Sequence, residues 1–324
     1  MHRLTTAGFS AVLLLACVAP AEATFPGRDG RILYNRFNEA TSTVDLFSVN
    51  KNGTGERQLT AFGGDVSSVF ADWSPDGRMI AFDSDQGAKV NAPVTYVMNA
   101  DGSGVRKLTD AAFSGDPAWS PSGRRIALEA DWGDYPASEG IWTIPFRKHG
   151  VVGKSDASRV TTAAPKAQYD SEPQYRPDGR WIAFTRFRSA ELSAIYRVRT
   201  DGSHLQQLTA YSSNASAPDW SPDGKWIIYD THDAAPVANE GDIMVMHPDG
   251  SGKHTLIPGT ATDYNQNPVF SPSGRYIAYA VFPSAGGPPE LRIARANGTH
   301  VRRLPVAADT NKPDWGPKPD DEGH

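Results

Sequence analysis

Trp73-Ser74-Pro75-Asp76-Gly77 decides the fold, because the phrase returns along the chain in variants. They are Trp119-Ser120-Pro121-Ser122-Gly123, Tyr175-Arg176-Pro177-Asp178-Gly179, Trp220-Ser221-Pro222-Asp223-Gly224, Phe270-Ser271-Pro272-Ser273-Gly274 and a degenerate Trp315-Gly316-Pro317-Lys318-Pro319. The anchors Trp73, Trp119, Tyr175, Trp220, Phe270 and Trp315 recur every 45 to 56 residues, the period of stacked repeats. After each phrase comes a branched and aromatic run such as Met79-Ile80-Ala81-Phe82, then a second run ending in Asp-Gly, then a short closing run such as Arg57-Gln58-Leu59-Thr60. These are strand-length segments bounded by turn residues, so each repeat reads as four short antiparallel strands, A to D. Proline presets a turn dihedral, Asp or Ser bonds nearby amides, and glycine accepts positive φ.

A four-stranded sheet of this size cannot bury both faces alone, and radial stacking solves that problem. Strand sets beginning near Arg31, Arg78, Arg124, Arg180, Lys225 and Arg275 predict an all-β, six-bladed β-propeller of four-stranded antiparallel blades. The first set lacks an anchor and the last anchor lacks a set. The C-terminal strand is therefore expected to join the N-terminal blade and close the ring. The Trp-Ser-Pro-Asp-Gly, Ile-Ala-Phe, Asp-Gly-Ser and Leu-Thr pattern over residues 29 to 317 resembles the TolB-type propeller repeat. That resemblance implies an envelope setting. It carries no single function, since such repeats serve non-catalytic envelope proteins, prolyl oligopeptidase-like enzymes and some lyases. The α/β domain that precedes the propeller in TolB is not read in this chain, which sets aside that protein's particular partners.

The chain starts with His2 and Arg3, an apolar stretch from Phe9 to Ala19, and Ala21-Glu22-Ala23. This is the pattern of a secretory signal over 1–23, followed by the propeller over 24–319 and a disordered tail over 320–324. The rival reading takes Leu14-Leu15-Ala16-Cys17 as a lipoprotein box, with Cys17 acylated as the one route to a membrane. Either way the expected location is secreted, periplasmic or cell-envelope. Cys17 is the single cysteine, so disulfides and thiolate sites are excluded from the mature chain. The net charge of -5 without basic clusters argues against nucleic acid. A monomer is expected.

In such a blade the A–B and C–D turns share one face of the disc, and the B–C and D–A loops share the other. The long, varied loops fall on the second face, the expected working surface. They carry the candidate binding residues Glu129, Asp131, Trp132, Asp134, Tyr135, Asp230, His232 and Asp233. At the channel mouth, the third residue before each anchor reads Phe70, Asp116, Glu172, Ala217, Asn267 and Lys312, a ring suited to a cation or a basic peptide. Of these, Asp116, Glu172, Asn267 and Lys312 carry the polar chemistry. Trp132 and Tyr135 suit stacking on a sugar or anchoring a partner.

No Gly-x-Ser-x-Gly elbow or phosphate loop is present, and the histidines are read as scattered over the tight-turn face, which disfavours a three-His centre. The leading reading is a non-catalytic scaffold for a protein, peptide or glycan partner, with no cofactor. A divalent cation such as calcium stays open on the acidic loops, though their spacing matches no calcium loop. The alternatives are a metal-assisted polysaccharide lyase or hydrolase, or an accessory propeller to a separate peptidase.

Overall fold

The computed structural model describes residues 25–86, 92–133, 139–162, 169–189, 192–232, 241–307 and 310–320. They form six four-stranded antiparallel sheets, the predicted blades. The inner strands of blades 2 to 6 are Ser68–Trp73, Phe113–Trp119, Tyr169–Tyr175, Ala215–Trp220 and Asp263–Phe270. Blade 1 is composite: Thr310–Pro317 is its inner strand, followed outward by Asp29–Asn38, Thr43–Asn50 and Arg57–Gln58. Register pairs Ile32 with Trp315 and Asn35 with Asn311, so the two ends of the chain share one sheet.

The repeated phrase builds the A–B turn as its residues dictate. In blade 2, Ser74 Oγ donates to Asp76 at 2.6 Å and accepts from the Met79 amide at 2.9 Å. The Arg78 amide donates to Asp76 at 3.0 Å, and Gly77 takes φ +66°. Serine replaces the aspartate in blade 3, where the Arg124 amide reaches Ser122 Oγ at 3.4 Å. The phrase aspartates thus serve the turn, not chemistry.

Each anchor lies between neighbouring sheets, from fully buried Trp220 to 5% exposed Tyr175 and Phe270. One core cluster joins Leu33, Leu46 and Leu59 of blade 1 to Trp73, Ile80 and Phe82 of blade 2. Another joins Ile228, Ile243 and Ile257 of blade 5 to Phe270, Ile277 and Tyr279 of blade 6. An aromatic of this size removes about 150–250 Å² from water, an upper estimate of roughly 4–6 kcal/mol each. The C–D hairpin of blade 3 is the exception to tight turns. It carries a 3-10 turn at Lys154–Asp156 and pairs Val152 with Thr109 of blade 2.

The closure is tightly fitted. The Trp73 amide donates to Asp314 Oδ2 at 2.9 Å, and a Cβ on Gly316 would sit 2.3 Å from Trp73 Cγ. Gly316→Ala is therefore expected to lower stability by about 1–3 kcal/mol, because a buried indole must shift. Chemical denaturation checks this; an unchanged midpoint would show that the seam is slack.

Candidate binding channel

Six inner strands converge on the axis, and each carries a bulge at its third residue before the anchor. Phe70, Asp116, Glu172, Ala217, Asn267 and Lys312 all adopt positive φ, from 47° to 54°. This conformation costs most non-glycine residues of order 1 kcal/mol, so surrounding bonds must impose it. A proline follows the bulge in five blades, and its missing N–H leaves no donor stranded in the channel wall.

The imposing bonds come from carboxylates reaching across to the next blade. Asp83 Oδ2 accepts from the Asp116 amide at 2.7 Å, Glu172 Oε2 from the Ala217 amide at 2.8 Å, and Asp230 Oδ2 from the Asn267 amide at 2.7 Å. The Glu172 amide likewise donates to Asp116. A lower tier repeats the device at the anchors. Asp72 accepts from the Trp119 amide at 2.6 Å, Asp219 from Phe270 at 2.7 Å and Asp314 from Trp73 at 2.9 Å. Much of the acidic charge around the axis is therefore structural, stapling each blade to the next.

What remains is a charged group at the long-loop end. Lys312 Nζ donates to Glu172 Oε1 at 2.8 Å and lies 4.8 Å from the Phe70 ring centroid. Thr185 adds a donor to Glu172 Oε2 at 2.8 Å. Burial works against the Glu172 charge, yet Lys312 outweighs it with these bonds and holds the carboxyl below its ordinary value. Asp116 is raised, first by burial and then by Glu172, with Lys312 opposing.

Ser171 Oγ contacts both Asp116 and Glu129, the latter at 2.7 Å. One hydroxyl carries one proton, so two charged acceptors cannot both be served. Burial, then the Asp116 charge, pushes the Glu129 carboxyl up to about 8. Ser171 Oγ is within donating distance of both carboxyl groups and serves one of them at a time.

Across the mouth, His232 Nε2 lies 3.4 Å from Asp230 Oδ1 and is raised despite its burial because of that partner. Gln266 Nε2 approaches His232 Nδ1 at 3.4 Å. Space of ≈ 90 Å³ lies between the bulge residues and the prolines behind them. At the tight-turn end a chamber of ≈ 20 Å³ is lined by Asp72, Asp219 and Asp314 together with Phe25, Trp119 and Tyr175.

The structure thus links Asp116, Glu129, Glu172 and Lys312 in one bonded group and Asp230, His232 and Asn267 in another. Two expectations from sequence change. Glu129 and Asp230 are not loop residues: they lie in strands Arg125–Asp131 and Ile227–Thr231, 8% and 1% exposed, because their strands run farther than the apolar runs suggest. His247 and His254 are also not far apart. They flank one indole, 4.2 and 5.8 Å from Trp226, because a single hairpin folds them together.

Asp131 ends its strand and accepts from the Gly133 amide at 2.9 Å. Trp132 packs edge-on against Trp142 at 5.9 Å. Asp134, Tyr135 and Asp233 lie outside the described residues, as do residues 1–24 with Cys17. Asp72, Asp219, Asp314 and Phe25 escaped the sequence reading of the channel. The recurring Asp just before Trp73, Trp220 and Trp315 was the available signal. Among the described residues, no group of three His, Cys, Asp or Glu side chains is arranged to hold a metal.

Comparison with known proteins gives the same architecture. A Tol-Pal system protein TolB from Zymomonas mobilis is 35% identical over 75 residues, 23% of this chain and 16% of that one. An uncharacterized protein from Agrobacterium fabrum is 30% identical over 112 residues, 33% of this chain and 38% of its own. The chain thus spans well under half the length of these curated relatives. The crystal structure of TolB from Acinetobacter baumannii superposes with a TM-score of 0.68 at 22% identity, covering 89% of this chain and 67% of that one. The TolB beta propeller domain profile matches residues 112–319, and with six blades closed as described, the chain belongs to that family.

Proposed function

We propose that this protein is an exported, non-catalytic scaffold that takes a protein or peptide partner on its long-loop face, at the mouth of the channel. The observation that carries this reading is the Lys312, Glu172 and Asp116 group. It places one cation and two carboxyl groups beside a space of ≈ 90 Å³ at the long-loop end of the channel, while Phe25 lines the smaller chamber at the other end. A polar segment entering from above meets both signs of charge within reach of bulge backbone. The likeness to TolB proteins supports a protein partner, and Ala21-Glu22-Ala23 supports export by signal cleavage.

The test is hydrogen exchange on a complex captured from an envelope extract. Protection is expected in 61–70, 110–116 and 258–267, and Lys312→Ala should weaken capture by about thirtyfold or more, the loss of roughly 2 kcal/mol or more for one partner of a desolvated charge pair. Protection confined to the A–B and C–D turns would overturn the assignment.

A further inference from the structure

The opposite face of the disc has the opposite electrical character. Arg78, Arg124, Arg180, Lys225 and Arg275 occupy the same position in five blades, directly after the glycine of the A–B turn, and all are exposed. The C–D turns add exposed Lys51, Lys148 and Lys253. Among the described residues, most Lys and Arg lie on these turns or the strand ends beside them, against a minority of the Asp and Glu, of which Asp76, Asp101, Asp178, Asp201, Asp223 and Asp249 share the turns. A chain of net charge -5 is thus divided into an acidic loop side and a basic turn side.

Two further features share that basic side. Among the described residues, Val151, Leu205 and Val301 are 46%, 47% and 44% exposed, each at a C–D turn next to basic or histidine residues. Phe25 through Arg28 also enter the molecule there: the Gly27 amide donates to Pro272 O at 3.2 Å, and Arg28 O accepts from the Lys318 amide at 2.8 Å.

We propose that the tight-turn face is a docking surface for an anionic lipid bilayer, with the arginine ring meeting headgroups and the apolar turn tips entering the interface. These cations repeat at one turn position in five blades, so a flat anionic surface can meet several of them within the roughly 8 Å over which charge acts in physiological salt. A soluble polyanion would account for the cations but gives Val151, Leu205 and Val301 nothing to contact. Entry of the N-terminal segment on this side means that any anchor upstream would present the same face to the membrane. The loop face and channel then point away, available to a partner.

The test is vesicle co-sedimentation of the full chain, comparing phosphatidylcholine alone with an equal mixture of phosphatidylcholine and phosphatidylglycerol. Two variants accompany it: Arg124→Glu, Arg180→Glu and Arg275→Glu together, and Val151→Ser, Leu205→Ser and Val301→Ser together. Both retain every residue upstream of Phe25, so a difference from wild type arises on this face. Salt-sensitive binding to the anionic vesicles only is expected. The charge variant should lose more than about a hundredfold, from roughly fivefold for each of the three cations removed, with the added carboxylates deepening the loss. The apolar variant should lose the part of binding that resists salt. Equal binding to both vesicles, or by wild type and the charge variant, overturns the proposal. So does retention on heparin without vesicle binding, which would assign the face to a soluble polyanion. Unchanged circular dichroism establishes that both variants fold.

Discussion

Replacing Glu172 with alanine is expected to lower stability by about 2 kcal/mol, since removing one partner of a half-buried ion pair leaves the other and two further donors unpaired. Glu172 is bonded on both oxygens: Oε1 to Lys312, and Oε2 to the Ala217 amide and the Thr185 hydroxyl. Alanine leaves all three donors without it, and the Ala217 amide is what keeps a strained bulge in place. Glu172→Gln keeps an acceptor for the amide and hydroxyl and should recover about half the loss. Lys312→Ala combined with Glu172→Ala should cost less than the sum of the two, because neither charge is then left alone. Urea denaturation of wild type, the three single variants and the double variant reads these differences. A loss below about 0.5 kcal/mol for Glu172→Ala would mean that the inter-blade carboxylates hold nothing.

A second large effect is expected from pH. In the folded protein Glu129 keeps its proton up to about 8, through burial and the facing charges of Asp116, Glu139 and Asp170, while an unfolded glutamate releases it near about 4.3. The folded state therefore binds the extra proton between these values. The stability from this group is complete below the unfolded value, falls as pH rises, and is gone above about 8. At about 1.4 kcal/mol per unit, the swing is on the order of 5 kcal/mol. Glu129→Gln, which can donate to Ser171 at every pH, should match wild type near pH 4 and be more stable by several kcal/mol at pH 9. Parallel stability curves for the two proteins would show that Glu129 is ionised in the fold.

The fold was legible because its instructions are local. Ser74-Pro75-Asp76-Gly77 contains its own turn, with donor, acceptor and positive-φ residue within four positions. Recurrence of Trp73 and its equivalents then counts the blades, and the unmatched ends of the chain predict the seam between Asp29–Asn38 and Thr310–Pro317. The channel was legible only in outline. Position marks Asp116, Glu172 and Lys312 as a ring, but nothing local says that Asp83 captures the Asp116 amide 33 residues away. The role of Asp314 depends on Trp73, at a separation of 241 residues. Glu129 and Asp230 looked like loop acids because hydrophobic runs stop before they do, whereas pairing of Glu129 with Ile141 and of Asp230 with Ile243 continues the strands. Phe25 gave no signal, since one aromatic ahead of the first repeat has no counterpart to compare it with.

The seam also sets a timetable for synthesis. Until residues 310–317 emerge, Asp29–Asn38 has no inner neighbour and Trp73 lacks its acceptor from Asp314. Blades 2 to 6 can assemble in order behind the ribosome or translocon, yet the disc stays an open arc with two raw edges until the last strand arrives. A product that stops short by a dozen residues would carry nearly all the mass of the protein and still expose the pairing surface that quality-control proteases and self-association both exploit.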